Sequence, residues 1–145
     1  MPSDWAYFDT SVLVKRYLRE AGSFRARSLL RKHRFLSSAI APIELMSALC
    51  RRLASGELAK RDFTEIRARM LRDRATWELV EVTPLVLSQA ENLVQQASLR
   101  TLDALHVATA LAFQAESGIR VPFITGDDRQ RQASEQLELD VVWVG

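Results

Sequence analysis

The stretch Trp5-Ala-Tyr-Phe-Asp-Thr-Ser11 joins a short apolar run to three residues that favour the start of a helix. Four apolar, mostly aromatic residues bounded by such a signal predict a buried β-strand. Asp, Thr and Ser side chains accept hydrogen bonds from the free N–H groups of a helix's first turn. A helix is therefore predicted directly after the strand, from about residue 11 to residue 19.

The same order of strand and helix continues along the chain. Alternation of this kind predicts an α/β fold with a mostly parallel sheet and helices on both faces. The helix from Thr101, which is expected to be its cap, is apolar on nearly every side and is predicted to be buried. The helix from Ser23 is expected to bury Phe24, Leu29 and Leu30. Further strands are predicted at 35–38, 77–82, 121–125 and 141–144, and further helices from 42 to near 56, over 59–74, from 84, and over 129–137.

Length and composition predict one globular domain covering residues 1–145, since 48% of the residues are hydrophobic and 26% are charged. Cys50 is the single cysteine, so an internal disulfide is excluded, and it is expected to be a small core residue. The N-terminus has no signal-peptide pattern, and the longest apolar stretch is too short to span a bilayer. A cytoplasmic location is expected.

The net charge of +2 conceals an asymmetry between the two halves of the chain. Residues 1–75 carry 16 Lys and Arg against 8 Asp and Glu, whereas residues 76–145 carry 4 against 10. A basic half suits a polyanion such as nucleic acid. Most of these arginines, however, lie on predicted helices at solvent-facing spacing, so from charge alone a solvated helix face is the preferred interpretation and nucleic-acid contact is the alternative.

Four carboxylates lie within or directly after apolar stretches: Asp9, Glu44, Asp103 and Asp127. An ionised group in such a place must be paired or must bind a metal, and no Lys or Arg lies beside these acids in the same runs. If the fold gathers them, a divalent cation would offset their repulsion. Oxygen ligands alone favour Mg²⁺ or Mn²⁺ over zinc.

Each acid also has a purely structural interpretation. Asp9 and Asp127 follow strands, where ligands collect in parallel sheets, but Asp9 is equally suited to cap a helix and Asp127 to form an Asx turn. Asp128 competes with Asp127 for the same role. Glu44 and Asp103 are acids of a first helical turn, which the helix dipole favours. For Asp103 a functional role is preferred, because it belongs to the most apolar helix.

Other candidate residues are less convincing. His106, one turn after Asp103, is expected to be a hydrogen-bonded core histidine rather than a ligand. The chain has no Gly-rich phosphate loop and no Cys/His spacing typical of zinc.

Four segments together resemble the signature segments of the PIN-domain nucleases, and within them most closely the VapC toxins of toxin–antitoxin pairs. The likeness follows the order of the family across almost the whole chain. The segments are Phe8-Asp-Thr-Ser-Val-Leu-Val-Lys15, Ile43-Glu-Leu-Met-Ser-Ala-Leu49, Leu99-Arg-Thr-Leu-Asp-Ala-Leu-His106 and Phe123-Ile-Thr-Gly-Asp127.

The resemblance implies an α/β/α sandwich with a central parallel five-stranded sheet and Mg²⁺- or Mn²⁺-dependent endoribonuclease activity. The Thr-x-Asp spacing selects Asp127 over Asp128, an extra acid that either widens the site or starts the last helix. Glu44 is expected to ligate directly or through water. The family's acids fall on Asp9, Glu44, Asp103 and Asp127, and its hydroxyls near the metal fall on Thr10, Ser11 and Thr125.

The predicted function is hydrolysis of RNA phosphodiester bonds by the toxin of a type II toxin–antitoxin pair. The resemblance implies a homodimer and a cognate antitoxin that covers the acidic groove. A stand-alone PIN-type nuclease of RNA processing is the first alternative, and a non-catalytic RNA-binding module whose acids are caps is the second. The residues suggested for contacts with the RNA backbone are Lys15, Arg16, Arg51 and Arg52.

Overall fold

The computed structural model describes residues 5–137 and 139–145. Within these ranges the chain forms five strands, seven α-helices and one short 3-10 helix over Arg74–Thr76. The strands are β1 Trp5–Phe8, β2 Arg34–Ser38, β3 Glu78–Val80, β4 Pro122–Thr125 and β5 Asp140–Trp143. The helices are α1 Thr10–Tyr17, α2 Ser23–Lys32, α3 Ala41–Ala54, α4 Lys60–Asp73, α5 Pro84–Ala97, α6 Thr101–Ser117 and α7 Asp128–Glu135.

The strands form one parallel sheet in the order β3-β2-β1-β4-β5. From β1 the chain proceeds to β2 and β3 on one side, then crosses back to β4 and β5 on the other. The order therefore reverses between β1 and β4, where Phe8 lies beside Ile124. In open parallel sheets, ligands bind beyond the carboxyl ends of the strands at such a reversal.

Two hydrophobic cores cover the two faces of the sheet. Helices α1 to α4 pack on the face that carries Ala6 and Phe8, whereas α5 and α6 pack on the face that carries Tyr7 and Phe123. Successive residues of a strand point to opposite faces, so the short apolar run of β1 contributes to both cores. This arrangement is an α/β/α sandwich, as predicted.

Every strand and helix predicted from the sequence is present, with altered ends. Helix α1 begins one residue early and ends at Tyr17, and β3 contains only Glu78–Val80 of the six residues predicted. Thr83 caps α5 as expected, with its side chain accepting a hydrogen bond from the N–H of Val86. Among the described residues, every helix is too short or too polar to cross a membrane.

Some sequence-based predictions about single residues are wrong. Arg100 occupies the N-cap position of α6, and Thr101 is already helical. Phe24 is 85% exposed and Cys50 is exposed. Helix α3 buries Pro42, Leu45 and Leu49, and at 3.6 residues per turn position 50 points away from that stripe. Helix α6 is buried over residues 104–110 only, whereas its two ends are exposed and Leu102 is about half exposed.

Candidate active site

Asp9 follows β1 and Asp127 follows β4, so the two acids flank the point where the strand order reverses. The Asp9 N–H donates to the Ile124 carbonyl at 2.9 Å, which ties the end of β1 to β4. The Asp9 side chain is buried and accepts from the Ser11 hydroxyl at 2.5 Å and, more weakly, from the Ser11 N–H at 3.4 Å. Asp9 thus caps α1 and also lies at the candidate site.

A buried threonine joins Asp9 to the loop that carries Asp127. The Thr125 hydroxyl lies 3.2 Å from Oδ2 of Asp9 and 2.9 Å from Oε1 of Gln130, and it accepts from the Asp127 N–H at 3.0 Å. Gln130 in turn donates through Nε2 to the carbonyl oxygen of Asp103 at 3.2 Å. The Thr125 hydroxyl, which has one proton to share between Asp9 and Gln130, thus links the ends of β1 and β4 to α7, and Gln130 links α7 to α6.

Asp127 has the role of a helix cap as well. Its Oδ1 atom accepts from the N–H groups of Arg129 and Gln130 at 2.9 and 3.1 Å, which satisfies the start of α7. Asp128 lies in the first turn of α7, is exposed, and contacts Arg131 and Gln132 of its own helix. Of the two roles considered for Asp128, the structure supports the helix start.

Glu44 and His106 form the second half of the cluster. The His106 imidazole is 1% exposed; its Nε2 atom lies 2.6 Å from Oε1 of Glu44 and 3.6 Å from Oδ1 of Asp9. The Thr10 hydroxyl donates to the same Glu44 oxygen at 2.7 Å, and the Tyr7 hydroxyl lies 2.7 Å from Nδ1 of His106. His106 is a hydrogen-bonded core histidine, as predicted, and it also holds a carboxylate of the site.

Electrostatics link Asp103 to the other acids. Burial, followed by the charges of Asp9 and Asp127, raises the pKa of the Asp103 carboxyl above its ordinary value. Arg100 offsets part of this effect, with its Nε 3.6 Å from Oδ2 of Asp103. When neighbouring carboxylates raise the pKa of a carboxyl group, the ionised groups repel one another, and a bound cation would reduce this repulsion.

The donor chemistry fits a hard divalent cation, because the cluster supplies carboxylate oxygens supported by hydroxyl groups. As arranged, no three Asp, Glu, His or Cys side chains of residues 5–137 and 139–145 are grouped closely enough to hold a metal ion. The fit therefore rests on the donor set and on the shared repulsion. Which acids ligate stays a prediction.

The four cations suggested for RNA contact lie in different places. Lys15 is buried and donates to Glu20 and to the Ala21 carbonyl, and Arg16 forms a salt bridge with Asp73, remote from the acids. Arg51 and Arg52 line a groove of about 500 Å³ that also touches Ser11 and Asp127. Lys15 lines the same groove, although it is buried and already paired, so Lys15, Arg51 and Arg52 lie beside Asp127, whereas Arg16 lines a different cavity.

Sequence reasoning did not identify Tyr7 and Gln130 as parts of the site. Tyr7 lies in an apolar strand, where the sequence does not distinguish it from any other core residue. Gln130 belongs to a polar helix, and the sequence does not indicate that its side chain is fully buried. A signal existed for His106, which lies three residues after Asp103 and so on the same side of α6.

The comparisons with known proteins agree with this geometry. The model of the PIN domain family matches residues 6–136. Ribonuclease VapC46 of Mycobacterium tuberculosis (strain ATCC 25618 / H37Rv) is 36% identical over 137 residues, covering 94% of this chain and 95% of the relative.

Two solved structures share the fold. A toxin–antitoxin complex from Klebsiella pneumoniae gives a TM-score of 0.65 at 22% identity, covering 94% of this chain and 95% of that one. VapBC2 from Rickettsia felis, bound to promoter DNA, gives 0.63 at 14% identity, covering 97% and 98%. The sheet order, the acids flanking the reversal and the match over most of the chain lead to one assignment: this chain belongs to the PIN domain family and is a VapC-type member of it.

Proposed function

We propose that this protein is a divalent-metal-dependent endoribonuclease and the toxin of a type II toxin–antitoxin pair. The proposal is supported by the surroundings of the reversal between β1 and β4, where Asp9 and Glu44 both lie within 3.6 Å of His106 Nε2 and the charges of Asp9 and Asp127 raise the pKa of Asp103. The relative at 36% identity is named a ribonuclease and matches the chain over nearly its full length.

Asp9, Asp103 and Asp127 would hold Mg²⁺ or Mn²⁺, with Glu44 directly or through water. The bound ion would supply a water of lowered pKa and positive charge beside the phosphate. The chain's own groups keep the acids in place: Ser11 and Thr125 contact Asp9, and Thr10 contacts Glu44. These hydroxyls orient carboxylates, which leaves phosphate binding to other groups.

The groove beside the acids is the proposed path of the RNA backbone. Arg51 is exposed and its guanidinium donates to Ser47, while Arg52 is about one-third exposed and pairs with Glu20 at 2.9 Å. Both side chains line the wall that faces Ser11 and Asp127. Phosphate contacts of this kind add affinity without sequence readout, so they support cleavage of any RNA that the groove admits.

The proposed partners follow from the family. The solved relatives from Klebsiella pneumoniae and Rickettsia felis are toxin–antitoxin or VapBC complexes, and we extend this assembly to the present chain. A cognate antitoxin would cover the acidic groove, and two copies of the chain would form a homodimer. Size-exclusion chromatography with light scattering tests the dimer. A small co-transcribed gene for a DNA-binding protein would supply the antitoxin, and its absence would favour the stand-alone nuclease.

Cleavage of RNA by the purified protein tests the activity. We expect cleavage with Mn²⁺, no cleavage with EDTA, and loss of at least about 100-fold in rate for Asp103→Asn, because one ligand of the proposed ion is gone. Asp128→Asn is the matched control: the same change, at an exposed acid whose contacts lie within α7, should leave the rate within about 2-fold.

Calorimetry separates this proposal from the non-catalytic alternative. A metal site should bind Mn²⁺ saturably in the wild type and more weakly in Asp103→Asn. Equal cleavage by the wild type and Asp103→Asn would overturn the assignment of the acids. Absence of both Mn²⁺ binding and cleavage would favour a module whose acids serve only as helix caps.

A further inference from the structure

A second cavity lies toward the opposite edge of the sheet, near the start of β2 and β3. It has a volume of about 580 Å³ and is lined by side chains from α1, the end of α2, the start of β2 and the segment before β3. Arg34 at its rim pairs in register with Trp5, four residues before Asp9. At ~3.3 Å per residue, the acids lie about 13 Å away along β1.

Positive charge dominates this cavity. Among the described residues that line it, four are arginines and Asp73 is the single acid. The Asp73 carboxylate is already engaged, since Oδ2 accepts from Arg16 at 3.1 Å and from the Tyr17 hydroxyl at 2.5 Å. The negative charge of Asp73 is therefore already paired with Arg16, so it offsets little of the positive charge of the other three arginines.

The other three lining arginines are available to bind an anion. Arg27 donates through Nε to the backbone carbonyl of Arg16 at 3.2 Å, and the Arg34 guanidinium lies 3.9 Å from the centre of the Trp5 ring. Arg31 is exposed in the last turn of α2. In the described part of the chain, none of these three arginines forms a salt bridge with a carboxylate. Guanidinium groups present planar forks that match phosphate oxygens.

An aromatic wall completes the cavity. Trp77 is half-buried and lies against Phe35, with ring centres 5.0 Å apart. Phe35 stacks in turn on the fully buried Phe8 at 5.2 Å. The indole is thus held on a packed aromatic support, which is the arrangement that stacks nucleobases in proteins that bind single strands.

We infer that this cavity binds a nucleotide unit, with its phosphate on the arginines and its base against Trp77. The volume is in the range of ligand sites that accept small molecules. The unit comes either from a free mononucleotide or from an RNA strand; the chemistry of recognition is the same. Binding here is separate from the acidic edge and needs no divalent cation.

Calorimetry with adenosine monophosphate in EDTA tests the inference on the full chain. We expect saturable binding below about 1 mM, and weakening of at least about 5-fold for adenosine or ribose 5-phosphate, each of which lacks one recognised group. Arg31→Glu should weaken binding at least 10-fold. Arg25→Glu is the matched control, because Arg25 is exposed on the same helix and does not line the cavity, and it should change binding less than 2-fold.

Fluorescence locates the ligand. Binding should quench tryptophan emission in the wild type and in Trp143→Phe, and most of this quenching should be lost in Trp77→Phe, the remainder coming from Trp5 beside Arg34. A five-nucleotide RNA, titrated into Asp103→Asn to prevent cleavage, distinguishes the sources. Binding of the mononucleotide supports a free ligand, and binding of the RNA alone, again sensitive to Arg31→Glu, supports a strand. If neither probe shows binding that depends on Arg31, the inference is overturned.

Discussion

The Nε2 atom of His106 lies 2.6 Å from Oε1 of Glu44, so a residue of α6 fixes a carboxylate of α3 across the end of the sheet. Burial disfavours the charged imidazole, but the hydrogen bond to Glu44 and the charges of Asp9 and Glu44 together raise the pKa of His106. Burial would likewise raise the pKa of Glu44, yet His106 and the Thr10 hydroxyl bring it below its ordinary value. The two groups therefore stabilise each other as an ion pair.

Removing one partner of this pair should be costly. We expect His106→Gln to lower the free energy of unfolding by about 2 kcal/mol, because Glu44 is left half-buried without its charged partner. The double variant Glu44→Gln/His106→Gln should lose less free energy of unfolding than the two single variants together, by about 1 kcal/mol or more. Urea unfolding of the four proteins at pH 6 without divalent ions measures this coupling, and strict additivity would contradict it.

The same pair should give a defined pH dependence. His106 has a raised folded pKa, so its contribution is complete below its ordinary value of 6.5 and is lost as the pH rises through the folded value. Glu44 has a lowered folded pKa, so its contribution is complete above 4.5 and is lost as the pH falls through the folded value. The stability difference between the wild type and the double variant should be largest between these two ordinary values. Thermal melts from pH 4 to pH 9 test this, and a difference that grows above pH 8 would contradict it.

Asp103→Asn should stabilise the metal-free protein. The folded pKa of Asp103 is raised, so its ionisation opposes folding, and removal of the charge should add about 0.5–1 kcal/mol at pH 7. The gain should shrink as the pH falls through the folded pKa, where Asp103 becomes protonated. In Mn²⁺ the wild type should become the more stable of the two proteins, because a ligand stabilises the protein that binds it more tightly by the larger amount.

Asp140→Asn is the control, because it should change the stability in the opposite direction. Arg120 contacts Asp140 at 3.0 Å and lowers its pKa, so loss of this charge should slightly destabilise the protein at pH 7. Melting curves of both variants in EDTA and in Mn²⁺ measure the two effects. A fall in the melting temperature of metal-free Asp103→Asn would show that the acids do not repel one another.

Gly22 should tolerate no side chain. Its φ is +83°, and an added Cβ would lie 2.1 Å from the carbonyl oxygen of Val144, a backbone atom that cannot turn away. Gly56 has the same φ and open space around it, which makes it a matched control. We expect Gly56→Ala to cost about 1 kcal/mol for the left-handed backbone alone, and Gly22→Ala about 3 kcal/mol or more. Equal losses in urea unfolding would mean that the close approach to Val144 is relaxed easily.

Helix phase and exposure were harder to predict than the elements themselves. Phe24 and Cys50 are apolar by type, yet both face solvent, because successive helical residues point about one hundred degrees apart and a neighbouring residue carries the buried stripe. Arg100, and not the predicted Thr101, occupies the N-cap position of α6, because the cap is defined by backbone angles that depend on how the chain enters the helix.

The sequence by itself determined the order of strands and helices and the parallel sheet, because hydrophobic periodicity and strand-end signals are local, and it placed four acids within or directly after apolar stretches. Only the tertiary structure decided what surrounds those acids. Tyr7 meets His106 across 99 residues and Thr125 meets Asp9 across 116, and no local pattern encodes such contacts. It also separated Arg16 from the acids, since α1 runs away from the strand ends that Asp9 occupies.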